Sequence, residues 1–103
     1  MNMSAASALI EDRRLRILKS LEEMQDRRLN EEVLVRMIAA SGQSIDIDTL
    51  RADLTFLQHQ GCVAIEKLPR MHGDLWVVNM TATGERVASG VQRLHGVARN
   101  LMF

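Results

Sequence analysis

The sequence predicts a winged helix-turn-helix, a mainly α fold with a three-helix core, a two-stranded β-hairpin that forms the wing, and an additional C-terminal helix. Two observations support this prediction. Three segments with helical spacing of apolar residues precede two short segments rich in Val and Ile, and a fourth helical segment follows them. The connection between the second and third helices is too short for a parallel return, so these helices must cross steeply, as in helix-turn-helix units.

The 103 residues of the chain are enough for one domain with a single small core. We predict a flexible N-terminus at residues 1–6, the winged helix-turn-helix domain at residues 7–90, and a C-terminal tail at residues 91–103. The apolar spacing in the tail is weak. A docked tail, a short helix and a disordered end are all compatible with it, and the three alternatives stay open.

The first helix is predicted to begin near Ser7 and to bury one apolar stripe. Its other face carries charged residues, several of them three or four apart with opposite sign: Arg13, Arg14, Arg16, Lys19, Glu22, Glu23 and Asp26. Charges in this pattern are typical of a solvated helix surface, so we expect this face to lie in solvent.

Polar residues that favour helix ends delimit the second and third helices. Asn30 is a good N-cap for the second helix, and Ser41-Gly42 closes it. Asp46 is predicted to cap the third helix, which Gly61 ends. Only a few residues separate these two helices, as the helix-turn-helix prediction requires.

The wing is predicted from strands at residues 62–67 and 75–80. The loop between them, residues 68–74, holds the only proline and a Gly-Asp pair, which suits an exposed turn. Thr81 then caps a fourth helix, and Gly90 ends it.

The composition is ordinary for a globular protein, with a formal net charge of zero. Dedicated nucleic-acid binders usually carry a basic excess, so neutrality lowers the expectation of DNA binding without cancelling it. The single cysteine, Cys62, cannot form an internal disulfide and fits a reducing cytoplasm. The N-terminal apolar run is too short for a signal peptide or a membrane span. We therefore expect a soluble cytoplasmic protein without a membrane partner.

The outer face of the third helix is the candidate DNA-contacting surface. Arg51 and Thr55 carry groups that can hydrogen-bond base edges in a major groove. The same helix holds Asp46, Asp48 and Asp53 against a single cation, and we expect Asp48 and Asp53 to face or flank phosphates. A simpler interpretation is that Asp46 and Asp48 cap the helix and suit its dipole.

The wing supplies the other candidate DNA contacts. Arg70 is the best single candidate for a phosphate contact, with Lys67 and His72 beside it. Glu66 and Asp74 lie in the same stretch, so a solvated turn without a ligand accounts for these charges equally well.

Apolar residues at the two ends of the chain have no evident place in the core. They are Met3, Leu9, Leu94, Val97, Leu101, Met102 and Phe103. If exposed, they would form a patch that favours a partner, and the first and last helices of dimeric winged-helix regulators commonly pair across a two-fold axis. The sequence therefore predicts a homodimer, with disorder of the last three residues as the alternative.

Catalytic and metal sites are not predicted. His59, Cys62 and His72 lack a second cysteine and the spacing of a structural zinc site, so a buried, unreactive thiol is the better interpretation of Cys62. The chain has no recognisable nucleophile motif and no glycine-rich phosphate loop. We predict neither an enzyme nor a cofactor, and no small-molecule substrate is evident.

Several segments resemble a family of small winged-helix proteins encoded by Mu-like phages and prophages. The resemblance covers residues 12–99, and its strength lies in the order and spacing of the segments. The matching segments are residues 12–18, Leu29-Asn30, Val33-Leu34, residues 50–57, Gln60-Gly61, Trp76-Val77, residues 81–84, and Gly96-Val97 with Arg99. The family has Pro-Gly-Val and then Arg-Pro in the tail, whereas this chain has His95 and Asn100 in place of those prolines. The resemblance implies the fold and a phage setting in a bacterial host, but no established activity.

The sequence thus favours a dimeric winged-helix protein of phage or prophage type that binds double-stranded DNA in regulation or phage development. Its predicted DNA-binding residues are Arg51, Thr55, Lys67, Arg70 and His72. The alternative is a winged helix used for protein–protein contact without DNA binding, in which Phe56, Trp76 or the apolar ends meet the partner.

Overall fold

The four helices and three strands of residues 4–101 form a winged helix-turn-helix, as predicted. The computed structural model describes residues 4–101. The elements are α1 (Ala5–Glu22), β1 (Arg28–Asn30), α2 (Glu31–Ala40), α3 (Ile47–His59), β2 (Val63–Arg70), β3 (Gly73–Met80) and α4 (Ala82–Ser89). None of the helices in residues 4–101 combines the length and hydropathy needed to cross a bilayer.

Side-chain caps begin all four helices, and three of the caps are those predicted. The side chains of Asn30, Asp46 and Thr81 accept hydrogen bonds from first-turn backbone amides at 3.0, 2.8 and 3.1 Å. The fourth cap is Ser4, whose hydroxyl oxygen accepts from the Ser7 amide at 3.1 Å. Because of this cap, α1 begins two residues before the predicted start near Ser7.

The sheet differs from the predicted hairpin in two ways. It has three antiparallel strands in the order β1-β3-β2, because the short strand β1 pairs with the inner end of β3. The wing strands are also longer than predicted and pair as far as Arg70 and Gly73, so the loop shrinks to Met71 and His72. Pro69 does not end β2, because β2 is an edge strand that tolerates a missing N–H.

The core is a layer of aliphatic side chains between α1, α2, α3, the sheet and α4. Fully buried members include Leu18, Leu34, Leu54 and Val78. The prediction of a solvated charged face on α1 was wrong at Arg13, which is buried, whereas Glu23 and Asp26 are exposed and the other members of that face are partly exposed. Residues of α3 and the tail cover this part of α1.

The tail, residues 91–101 as described, has no regular helix or strand, but it contacts α1. The Ala98 amide donates a hydrogen bond to the Glu11 carbonyl at 3.0 Å. Val97 is only 4% exposed and belongs to the core, and Leu94 packs against the core. Met3, Met102 and Phe103, which the sequence grouped with these residues, lie outside the described residues.

Candidate nucleic-acid interface

The outward face of α3 consists of small and polar side chains. Asp48, Ala52, Thr55 and His59 are exposed along it, in the positions that helical spacing predicts. The Thr55 hydroxyl donates to the Arg51 carbonyl at 2.8 Å, within the helix itself. No aromatic or aliphatic bulk stands on this face, so a groove floor could approach the helix backbone closely.

Arg51 points from α3 toward the wing. Its Nε and Nη2 atoms donate to the two carboxylate oxygens of Glu31 at 2.6 and 2.7 Å, and Nη2 also donates to the Asp74 carbonyl at 2.9 Å. The guanidinium lies over the Trp76 ring, 4.6 Å from its centroid. Arg51 therefore joins α3 to α2 and β3, and only part of its donor set remains for a ligand.

Glu31 is almost completely buried at the start of α2. Besides Arg51 it accepts a hydrogen bond from the Trp76 backbone amide at 2.8 Å, just beyond the point where β1 stops pairing with β3. Burial acts to raise the pKa of this carboxyl, but the hydrogen bonds from Arg51 and Trp76 outweigh it and hold the pKa below its usual value. The same pairing raises the pKa of Arg51, so both groups stay charged.

The three predicted wing contacts stand in different environments. Lys67 is exposed, and its Nζ atom lies 4.7 Å from the centroid of the Trp76 ring. Arg70 donates to the two carboxylate oxygens of Glu32 at 3.1 and 3.4 Å, and this ion pair is about half exposed. His72 lies exposed in the turn at the tip of the wing. Among the three, therefore, only Arg70 is held by a carboxylate.

The expectation that Asp53 faces or flanks phosphates was wrong. Its side chain is 2% exposed and pairs with the guanidinium groups of Arg13 and Arg14 on α1. Asp46 caps α3, and the hydrogen bond from Thr49 lowers its pKa. The outward face of α3 is thus less acidic than the residue count of the helix indicates, and Asp48 is its main negative charge.

The helix–wing surface holds nearly balanced charge. Its cations are Arg51, Lys67 and Arg70, and the nearby carboxylates are Glu31, Glu32, Asp48 and Asp74. Of the three cations, Lys67 alone makes no ion pair with the residues that the structure describes. Arg51 and Lys67 both contact Trp76, and Arg70 pairs with the residue next to Glu31, so the fold brings these three cations together but neutralises two of them.

Glu31 and Glu32 are the residues of this surface that sequence reasoning did not identify. Their place in the first turn of α2 suits the helix dipole, and that effect accounts for them without a partner. Their partners Arg51 and Arg70 lie 20 and 38 residues later in the chain. Pairs so far apart in sequence leave no local pattern, so the structure alone identifies them.

The aromatic side chains proposed for a protein partner are covered within the chain. Phe56 lies under the Arg14 guanidinium, 3.8 Å from ring centroid to Cζ, and close to Gly96. Trp76 lies against Arg51 and Lys67. Of the apolar end residues that the structure describes, Leu9 and Leu101 keep exposures of 39% and 37%.

No metal site is formed by the described residues, since no group of three potential His, Cys, Asp or Glu ligands occurs among residues 4–101. Cys62 is buried, and burial raises the pKa of its thiol. This agrees with the interpretation of Cys62 as a structural core residue.

Comparison with known proteins identifies a phage relative and several structural neighbours. The chain is 36% identical over 91 residues, which cover 88% of it and 90% of the relative, to the uncharacterized protein gp26 of Escherichia phage Mu. No protein-family model matches the chain.

Two solved structures share the fold. A protein of Thermoplasma acidophilum described as a transcriptional regulator aligns with a TM-score of 0.66 and 21% identity, over 86% of this chain and 80% of that one. A PadR-family transcriptional regulator from Eggerthella lenta aligns with a TM-score of 0.59 and 25% identity, over 84% of this chain and 77% of that one. These alignments agree with the winged helix-turn-helix architecture described above.

Proposed function

This chain belongs to the family of gp26 from Escherichia phage Mu, and we propose that it is a dimeric DNA-binding protein with a regulatory role in phage or prophage development. We place it in the cytoplasm of the bacterial host and assign it no catalytic activity. Its structural neighbours include transcriptional regulators, which supports a role of this class.

The exposed face of α3 is the observation that carries the proposal. Ala52 and Thr55 are small, so the helix can lie deep in a major groove, where their methyl groups can contact thymine methyls. His59 extends the polar edge of this face, and the wing stands beside it. This shape supports the assignment of α3 to a major groove and of the wing to neighbouring phosphates.

Phosphate contacts are assigned to the wing. Lys67 makes no ion pair with the described residues and needs no rearrangement to meet a phosphate. Arg70 can exchange Glu32 for a phosphate because an exposed ion pair contributes only about 0–1 kcal/mol. Arg51, fixed by buried Glu31, acts mainly to orient the helix and offers only its remaining N–H groups to a base edge.

A homodimer would place two copies of α3 in successive major grooves about one helical turn apart. The exposed Leu9 on α1 and Leu101 in the tail support a contact through these two parts of the chain. Burial of Val97 and packing of Leu94 in the chain's own core leave a smaller apolar surface for this contact than the sequence suggested.

Fluorescence anisotropy of a labelled random-sequence duplex, titrated with the protein at low and moderate salt, tests DNA binding. We expect micromolar affinity that falls as salt rises, because each phosphate contact releases counterions. Lys67→Gln should weaken binding and reduce the salt slope by about one. Arg36→Gln, which removes an exposed cation from α2, is the matched control. No binding at low salt would overturn the proposal.

The competing function is protein–protein contact without DNA binding. The pairing of Arg51 and Arg70 with carboxylates, together with zero net charge, favours it. The same titration decides between the two functions. A protein partner held by an apolar surface would bind with little dependence on salt, whereas DNA binding must depend on it steeply.

A further inference from the structure

Most Lys and Arg side chains that form no ion pair with another described residue lie outside the helix–wing surface. Within the described residues, eight Lys and Arg side chains form ion pairs with carboxylates. The five that do not are Arg36, Lys67, Arg86, Arg93 and Arg99. Three of these five lie in α4 or the tail, and the sequence has no Asp or Glu from Arg86 to its end.

A cleft of about 320 Å³ opens in this region, between α1, the C-terminal end of α4 and the tail. Its lining includes the cations Lys19 and Arg99, the polar residues Ser89, Gly90 and Asn100, and the apolar residues Ala88 and Leu101. Arg99 also lines an adjacent smaller cleft together with Arg93 and Gln92. The region therefore combines a concave shape with several cationic and polar side chains.

Among the described residues, the ion pair made by these cations is a weak one. Glu22 lies 3.8 Å from the Lys19 ammonium, and both side chains are about one third exposed. An exposed pair at this distance contributes little and gives way to a competing anion. Arg93 and Arg99 form no ion pair with any residue in the described part of the chain. Within residues 4–101, the cations of the cleft therefore make only this one weak ion pair.

We propose that this cleft binds a phosphate group. Lys19 and Arg99 supply the charge, the Asn100 amide supplies a neutral donor, and Arg93 approaches from the adjacent cleft. Arginine, lysine, asparagine and serine side chains with backbone amides are the groups that proteins use to hold phosphate oxygens. The phosphate belongs either to the backbone of a nucleic acid or to a small phosphorylated molecule.

The cleft is separate from the surface assigned to groove binding. It lies where α4 and the tail meet α1, whereas that surface is built from α3, the start of α2 and the wing. Duplex DNA held at α3 would leave the cleft available to a second DNA segment or another phosphate ligand. The inference does not depend on groove binding by α3, but Leu101 lines the cleft and is also assigned to the proposed dimer contact, so the cleft lies beside that contact.

Amide-resolved NMR of the full ¹⁵N-labelled chain tests the proposal with two probes, inorganic phosphate and a random-sequence duplex. We expect the Ser89, Gly90 and Asn100 amides to shift with at least one probe. Arg99→Gln should weaken that probe's binding about tenfold, because one charge-assisted contact is lost. Arg36→Gln removes an exposed cation that does not line this cleft and should leave the shifts unchanged.

The two probes separate the sources of the phosphate. Shifts with inorganic phosphate indicate a site for a small phosphorylated molecule, and shifts with the duplex alone indicate a nucleic-acid backbone. If neither probe moves these amides, or if Arg36→Gln weakens binding as much as Arg99→Gln, the proposal is overturned. Shifts of the α3 and wing amides with the duplex report separately on the proposed function.

Discussion

At the scale of single residues, Glu31 has the largest number of structural roles in the candidate interface. Glu31 is the first residue of α2, and its carboxylate accepts two hydrogen bonds from Arg51 of α3 and one from the Trp76 amide of β3. The angle between helix and wing depends on these contacts, since each partner lies on a different element. A buried carboxylate with charged hydrogen bonds also makes folding depend on pH.

Glu31→Gln is expected to lower the free energy of unfolding by about 2 kcal/mol at neutral pH, because a hydrogen-bonded charge pair is lost. The folded pKa of Glu31 lies below its usual value of 4.5, so its carboxylate stabilises the protein fully above that pH. This stabilisation is lost as pH falls through the lowered pKa. Urea unfolding should show the difference between wild type and variant shrinking below about pH 4.5.

Glu85→Gln is the control for this measurement, since Glu85 forms an exposed pair with Arg27. It should change stability by less than about 1 kcal/mol. A Glu31→Gln effect that is the same at acidic and neutral pH would contradict the assigned role of the carboxylate.

Glu32→Gln is expected to increase affinity for duplex DNA about threefold to tenfold at low salt, because it frees Arg70 and removes a negative charge next to the phosphates. Stability should hardly change, since the pair is about half exposed. Anisotropy titrations measure the effect, with Glu85→Gln as a variant of equal charge that frees Arg27 instead. Equal gains in both variants would mean that net charge, and not Arg70, governs affinity.

At the scale of elements, buried charge fixes how α1 meets α3. Asp53 of α3 receives Arg13 and Arg14 of α1, and Arg14 also donates to the Gly96 carbonyl of the tail at 3.1 Å. Two arginines on one buried carboxylate leave a net positive charge, part of which the Gly96 carbonyl and the Phe56 ring stabilise. This network ties the tail to the helix pair.

The junction of β3 and α4 has its own steric requirement. A Cβ atom on Gly84 would lie 2.2 Å from the Cys62 carbonyl oxygen and 2.7 Å from Met80 Cγ. We expect Gly84→Ala to lower the free energy of unfolding by about 3 kcal/mol, because the backbone of the first wing strand must move. A Cβ atom on Gly90 would have no atom within 4 Å, so Gly90→Ala should lower the free energy of unfolding by only about 1 kcal/mol, because alanine disfavours the positive φ at this position. Chemical denaturation compares them, and equal losses would contradict this explanation.

Local signals predicted the helix ends and the type of each element. Asn30, Asp46 and Thr81 act as caps because a cap depends on its own side chain and the next three amides. The short strand β1 was missed, since three residues carry no periodic pattern and pair with β3 only in the folded chain. The wing loop was predicted too long because Pro69 and Gly73 are residue types that favour turns. In the structure, Pro69 lies in the edge strand β2 and Gly73 is the first residue of β3.

At the scale of the whole molecule, self-association is the property that matters most for the proposed function. Leu9→Glu is expected to shift a dimer to monomer, because it places a charge on the exposed apolar part of α1. Sedimentation equilibrium measures the change, and urea unfolding checks that the fold is kept. Leu68→Glu, at a similarly exposed position on the wing, is the control and should leave the dimer intact. A wild-type chain that is monomeric at high concentration would contradict the dimer.

Apolar spacing, caps and turn residues predicted the winged-helix architecture, since each of these signals acts over a few neighbouring residues. The sequence also identified Arg51, Lys67 and Arg70 as candidate contacts, and the fold brings these three side chains to one surface around Trp76, Glu31 and Glu32. Whether those cations are paired with carboxylates depends on contacts that form only in the folded chain. The pairs of Glu31 with Arg51, Glu32 with Arg70, and Asp53 with Arg13 and Arg14 join residues 20 to 40 positions apart. An ion pair forms when two charged groups are close in space, and the pattern of residues along the sequence does not give that distance.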